Sequence, residues 1–140
     1  DGFGGVPVSG VPTARSTNGW DIFGCVFDVN GTPTNLPVRL NTRTFGDQYV
    51  PKISALAGAY LAVWTSLGQD GSWEGVFGQA LADDGNFIGS ELRVNTTTVS
   101  RQILPAISAD GSTRLLVTWS SFVPSGTFYL FAQQYQLTGP

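Results

Sequence analysis

Apolar and polar residues alternate over short runs along this chain, and Gly, Asn and Asp punctuate the runs. A period of two with turn residues between runs is the pattern of β-strands, not of helices. One unit reads clearly in the middle. Pro51 to Leu56 predicts a short strand, Ala57-Gly58 a turn, and Tyr60 to Ser66 a second strand closing on Trp64. Leu67 to Ser72, containing Asp70-Gly71, predicts a loop. Trp73 to Ala82 predicts a third strand, Asp84-Gly85 a tight hairpin turn, and Ser90 to Thr96 a fourth strand. Asn30-Gly31 stands where Asp84-Gly85 would in an earlier unit, and both pairs suit a turn demanding positive φ.

Slid along itself until Arg39 falls on Arg93, the chain reads itself back. Arg39, Asn41, Thr42 and Thr44 recur as Arg93, Asn95, Thr96 and Thr98. Gln48, Pro51, Ile53, Ser54 and Ala55 recur as Gln102, Pro105, Ile107, Ser108 and Ala109, giving 9 identities over the 21 pairs that start at Leu36. The third strand carries Ile22, Gly24 and Val26, then Val76, Gly78 and Ala80, then Leu130 and Ala132 on one face. Its other face carries Phe23, Cys25 and Phe27, then Phe77 and Leu81, then Phe131 and Tyr135. Small residues on one side and aromatics on the other suit a sheet pressed between neighbours, the small residues admitting an adjoining layer. The expectation is an all-β chain, a β-propeller-like array of four-stranded antiparallel meanders with about two and a half blades. Residues 1–42 form an incomplete first unit, 43–96 the central unit and 97–140 an incomplete last one. Val6 to Ala14 reads as a degraded second strand, and Thr138-Gly139 as a hairpin turn without its return strand. Other copies of the chain, or neighbouring repeats, are then expected to complete the end units. A small β-barrel or sandwich is the alternative.

Composition narrows the partners. Charged residues make up 12% of the chain, and the formal charge of −3 is spread without blocks. No basic stripe is offered to nucleic acid, and no apolar run reaches the roughly 20 residues that span a bilayer as a helix. Such a weakly charged polar surface is common in secreted β-proteins. Asp1 opens the chain without a charged start and apolar segment, so the reading is an extracellular or cell-surface protein, its signal peptide removed, or a fragment of a larger secreted protein. Cys25 has no partner cysteine and reads as a small buried residue.

The run from Gln69 through Asp70-Gly71-Ser72-Trp73-Glu74 to Gln79 resembles a repeat found in very large secreted bacterial surface proteins. Val94-Asn95-Thr96, Gln102, Pro105 and Val117-Thr118-Trp119 belong to the same resemblance. It implies an extracellular propeller-like module of adhesin-type proteins and carries over no catalytic residue. Asp70-Gly71-Ser72-Trp73 departs in its glycine spacing from the Asp-box of sialidase-type propellers, which is structural in any case.

The chain contains no His, which removes Ser-His-Asp and Cys-His catalysis and the common zinc sites. Glycosidase chemistry would have to be built from Glu74, Glu91, Asp47 and Asp21, and these acids sit where the fold would use them. The expectation is therefore no enzyme. Trp20 and Trp73 open equivalent third strands after polar loops, and with Asp70 and Glu74 they form the candidate carbohydrate site, aromatic platforms beside hydrogen-bonding groups. No cofactor is implied. Calcium is the one metal to consider, with Asp70, Asp83, Asp84 and Asp110 as oxygen ligands in Gly-containing loops. The D-x-[DN]-x-[DN]-G spacing is missing, however, and Asx turns explain these residues as well. Arg39 with Asn41 and Arg93 with Asn95 predict a polar strand side facing solvent or a loop, each Arg anchoring the connection that follows. The expected work is adhesion or assembly into a larger surface structure. The alternatives are a carbohydrate-binding lectin and a non-catalytic fragment of a larger secreted enzyme.

Overall fold

The computed structural model describes residues 19–123 and 125–137; the expected strand at Val6 to Ala14 and the turn at Thr138-Gly139 lie outside them. Among the described residues every regular element is a β-strand, and no helix is long and apolar enough to cross a membrane. Strands β1 (Phe23–Gly24) and β2 (Val38–Arg39) pair as one antiparallel sheet. Strands β3 (Gln48–Leu56), β4 (Ala59–Leu67), β5 (Glu74–Ala82) and β6 (Phe87–Arg93) follow as a meander in one four-stranded sheet. Strands β7 (Gln102–Ala109), β8 (Arg114–Val123) and β9 (Thr127–Gln136) make a three-stranded sheet.

The middle strands of the central sheet, β4 and β5, are buried on both faces, as the face pattern of its third strand predicts. Leu61, Val63, Val76 and Val94 on one side join Leu115, Val117 and Trp119 of β8 in one core. Ala62, Trp64, Phe77 and Leu81 on the other side join Ile22 and Leu40 in a second. Each apolar side chain so buried contributes on the order of 1.5–3 kcal/mol relative to exposure.

Several geometric features recur in the register of the repeat. The β3–β4 ladder shifts register between Tyr49 and Lys52, and the β7–β8 ladder between Ile103 and Ala106. Val50 and Leu104, each preceding a proline, take φ of 53° and 56° inside these bulges. Gly46 and Ser100 likewise share the left-handed region, at 86° and 69°. The turns at Asp28 to Thr32 and Ala82 to Asn86 are built alike. Gly31 N donates to Asp28 O at 3.0 Å and Gly85 N to Ala82 O at 2.9 Å, while Asp28 N reaches Thr32 O and Ala82 N reaches Asn86 O.

The positive φ expected of both turns is taken by Gly31 and Gly85, at 79° and 86°, and not by Asn30 or Asp84, so each is a tight turn closed by a left-handed glycine bulge. Two expectations need correcting. The fourth strand is Phe87–Arg93, earlier than Ser90 to Thr96, because Phe87 and Ile88 already pair with Leu81 and Ala80. Gly78 is small for a reason within its own sheet. A Cβ there would meet Ala62 O at 2.8 Å and Val63 Cγ1 at 3.1 Å on the paired strand, not the adjoining layer.

Candidate functional site

The β4–β5 loop and the β6–β7 connection meet around one buried side chain, Asn95. Its Oδ1 accepts from Val76 N at 2.8 Å, and its Nδ2 donates to Thr97 O at 2.7 Å, Asp70 Oδ2 at 3.0 Å and Gln102 Oε1 at 3.2 Å. Its repeat counterpart, buried Asn41, does the same. Its Oδ1 accepts from Ile22 N at 2.7 Å, and its Nδ2 donates to Arg43 O and Asp21 Oδ1, both at 2.7 Å. Gln48 lies where Gln102 does, buried against Asn41; with its amide turned, its nitrogen reaches Trp20 O at 2.9 Å. A primary amide supplies both acceptor and donors, and therefore ties the start of a third strand to the connection that leaves the fourth. The polar strand side thus faces inward at these two residues. The Asn amides, not Arg39 and Arg93, hold the connection's carbonyls; Arg39 instead lies 4.0 Å from Asp21. Asn95 is too buried for the glycosylation its Asn-Thr-Thr sequence would permit.

The two carboxylates that meet these amides come from different places in the chain. In the register that aligns Asn41 with Asn95, Asp21 corresponds to Gly75 and not to Asp70. A Cβ at Gly75 would lie 2.7 Å from Asp70 Oδ2, so the Asp70 side chain fills the space that a residue-75 side chain would need. The loop carboxylate has replaced the strand carboxylate.

Beside this network the start of β5 presents Trp73 and Glu74. Trp73 is 57% exposed, with Arg101 5.1 Å from its ring centroid, a cation–π contact that occupies one ring face. Arg101 Nε is 3.4 Å from Glu74 Oε2, and Tyr49 Oη donates to Glu74 Oε1 at 3.4 Å. Partial burial, then the adjacent Glu74 carboxylate, push the Tyr49 phenol up to about 12. The structure thus brings Trp73 and Glu74 together, with Asp70 turned inward to Asn95 and capping Ser72 N at 3.2 Å. Trp20, 50% exposed, sits just before β1, its amide donating to Asp47 Oδ1 at 3.1 Å. An apolar cleft of about 420 Å³ lies between the first two sheets, lined by residues such as Phe27, Val38, Ile53, Tyr60 and Leu81, and includes none of these four site residues.

Glu91, Asp84 and Asp110 have structural partners, whereas Asp83 lies by the Gly58 turn and joins none of the other acids. Glu91 accepts from Thr42 N at 2.6 Å and from Gln69 Nε2. The candidate calcium set is not assembled: among the described residues no group of three or more Asp, Glu, Cys or His side chains gathers to hold a metal. Asp84 accepts from Asn86 N, and Asp110 from Ser112 N at 2.8 Å and Arg114 N at 3.1 Å, as Asx turns do. Those backbone bonds hold the exposed Asp110 carboxyl below its usual range. Sequence reasoning missed Tyr49 and Arg101 as partners of Glu74, and Asn41 and Asn95 as the centres of the network. The recurrence of Asn and Gln at matching places in the repeat was the available signal. Neither a protein-family model, a curated protein nor a solved structure matches this chain.

Removing the central amide should be costly. Asn95→Ala leaves Val76 N and Thr97 O without their partner and costs roughly 2–4 kcal/mol in denaturant unfolding. Gly75→Asp alone is destabilising, whereas Asp70→Gly with Gly75→Asp rebuilds the Asn41 arrangement; a double variant no more stable than Gly75→Asp alone refutes the replacement. For Tyr49, the unfolded phenol ionises near pH 10 while the folded one holds its proton to about 12. The stability from Tyr49 is therefore complete below pH 10 and lost as pH rises towards 12. Ultraviolet titration should show Tyr49 ionising late, as partly buried Tyr135 also does, and Glu74→Gln should bring Tyr49 alone earlier.

Proposed function

We propose that this chain is a non-catalytic, propeller-like repeat module of an extracellular or cell-surface protein, serving adhesion or assembly into a larger structure. The observation that supports this most is an inequality between equivalent faces. Val76 and Leu61 in the central sheet are 0% and 3% exposed, covered by β8. Leu130, the counterpart of Val76 in the next unit, is 77% exposed, and Leu116, the counterpart of Leu61, is 40% exposed. Phe128, on the same side of β9 as Leu130, adds to the same bare face. Apolar area of this kind on a polar, weakly charged surface marks a place where another element packs. Units that bury their faces only by stacking gain stability from each neighbour. Joining a second copy of residues 86–140 after Gly139 should raise the melting temperature and slow hydrogen exchange in β9 to the level of β5. Unchanged exchange in β9 would overturn the reading.

The exposure of Trp20 and Trp73 favours one second reading, a lectin that stacks sugar rings on these indoles beside Asp70 and Glu74. Glycan-array binding should then be abolished by Trp73→Ala with the melting temperature unchanged. An array that stays silent for the parent chain removes it.

A further inference from the structure

We infer that the outer edge of β9 is a strand-capture site, which takes an extended segment of the pattern found at Phe87 to Thr98. The inference rests on the assembly reading and names the partner segment for it. Among the described residues, β9 pairs with β8 along one edge and with no strand along the other. The matching edge of β5 holds β6.

Two contact points on β9 are already in place. The first is Leu130. It pairs with Ser120 as Val76 pairs with Thr65, so it takes the same position in its sheet. Val76 O accepts from Val94 N at 2.8 Å, and Val76 N donates to Asn95 Oδ1 at 2.8 Å. Ile22 makes the same two bonds with Leu40 N at 2.8 Å and Asn41 Oδ1 at 2.7 Å. Leu130 therefore turns a carbonyl and an amide outward to an edge where this chain supplies neither partner among its described residues.

The second point is Gln133, the repeat counterpart of Gln79. Gln79 Nε2 clamps a bulge of the fourth strand, donating to Ile88 O at 3.3 Å, Gly89 O at 3.2 Å and its own neighbour Ala80 O at 3.0 Å. In the first sheet Cys25 Sγ stands there, 3.2 Å from Asn35 O and 3.7 Å from Val26 O. Gln133 Nε2 donates to Gln134 O at 3.1 Å, the counterpart of Ala80 O, and faces the open edge with its remaining capacity.

These points define the guest. It needs a bulge with accessible carbonyls, for which Gly89 at φ 66° serves in β6, apolar side chains like Leu92 and Val94 to cover bare Leu130, and then an Asn. An Asn side chain can accept from Leu130 N through its oxygen while its nitrogen returns to its own connection, as Asn95 does with Thr97 O. Main-chain bonds would supply affinity and the Asn specificity, as in strand addition to sheet edges. Both Asn-ended strands of this chain are already paired, so a folded second copy has none to offer. The guest is the fourth strand of a further unit of the same pattern.

A synthetic peptide of residues 86–98, titrated into the full chain, tests this. Binding should be saturable and should slow amide exchange at Leu130 and along β9. An Asn95→Ala peptide should bind at least tenfold more weakly, and a Val94→Pro peptide, which lacks the donor for Leu130 O, should not bind. Gln133→Ala in the chain should weaken capture severalfold at an unchanged melting temperature. Absence of binding, equal binding of the Asn95→Ala peptide, or protection outside β9 overturns the proposal. If the appended unit stabilises the chain but the peptide is not captured, edge capture fails and face-to-face assembly stands. Capture of the peptide beside an inert appended unit supports the edge site and removes the assembly reading.

Discussion

A buried asparagine amide governs where each sheet ends and the next begins. Asn41 and Asn95 leave the ladder as backbone and re-enter it as side chains, each supplying the oxygen that the amide of Ile22 or Val76 would otherwise lack. The same groups hold the carbonyl of the departing connection, so direction and register are set together. A buried peptide N–H left unpaired costs about 1–3 kcal/mol, which makes the position intolerant of any side chain without both functions. Everything that packs across the sheets depends on this junction, because a one-residue slip would turn Val76 and Phe77 to the wrong faces.

That dependence explains why the cores look as they do. With the junction fixed, β4 and β5 can be apolar on both faces, since neighbours are brought up on each side at a set angle and distance. The small residues are then local accommodations within a sheet. Gly78 yields to Ala62 O, and Gly75 yields to the Asp70 carboxylate. Both would be mistaken for spacers between layers if only their periodicity were considered.

The strand content, the meander order and the two-sided burial of β4 and β5 were legible in the sequence, because alternation and turn residues act locally. The turn at Asp84-Gly85 was legible as a turn but not as a glycine bulge, since one positive φ or two depends on the twist of flanking strands. The role of Asn41 and Asn95 was hidden for a different reason. Polar residues in a strand usually signal water, and only the three-dimensional approach of Asp70 from a distant loop reveals Asn95 as buried. Tyr49 with Glu74 and Arg101 was illegible on the same ground, being assembled from β3, β5 and the connection before β7.

Backbone strain lies beside the same junction. Val50 and Leu104 occupy the left-handed region at corresponding places, at a cost of roughly 1–2 kcal/mol for each L-residue held there. A β-branched valine is a poor choice for it, and the following proline further restricts it. The bulge that this conformation creates changes the pairing phase immediately after Tyr49 and after Ile103. Gln48 and Gln102 are thereby buried beside the Asn amides, while Leu56 of β3 and Ile107 and Ala109 of β7 pack at the core further along. Strain of this kind persists only where the surroundings over-determine it, and the amide network, with three or more hydrogen bonds converging on each Asn, is the surrounding that does so.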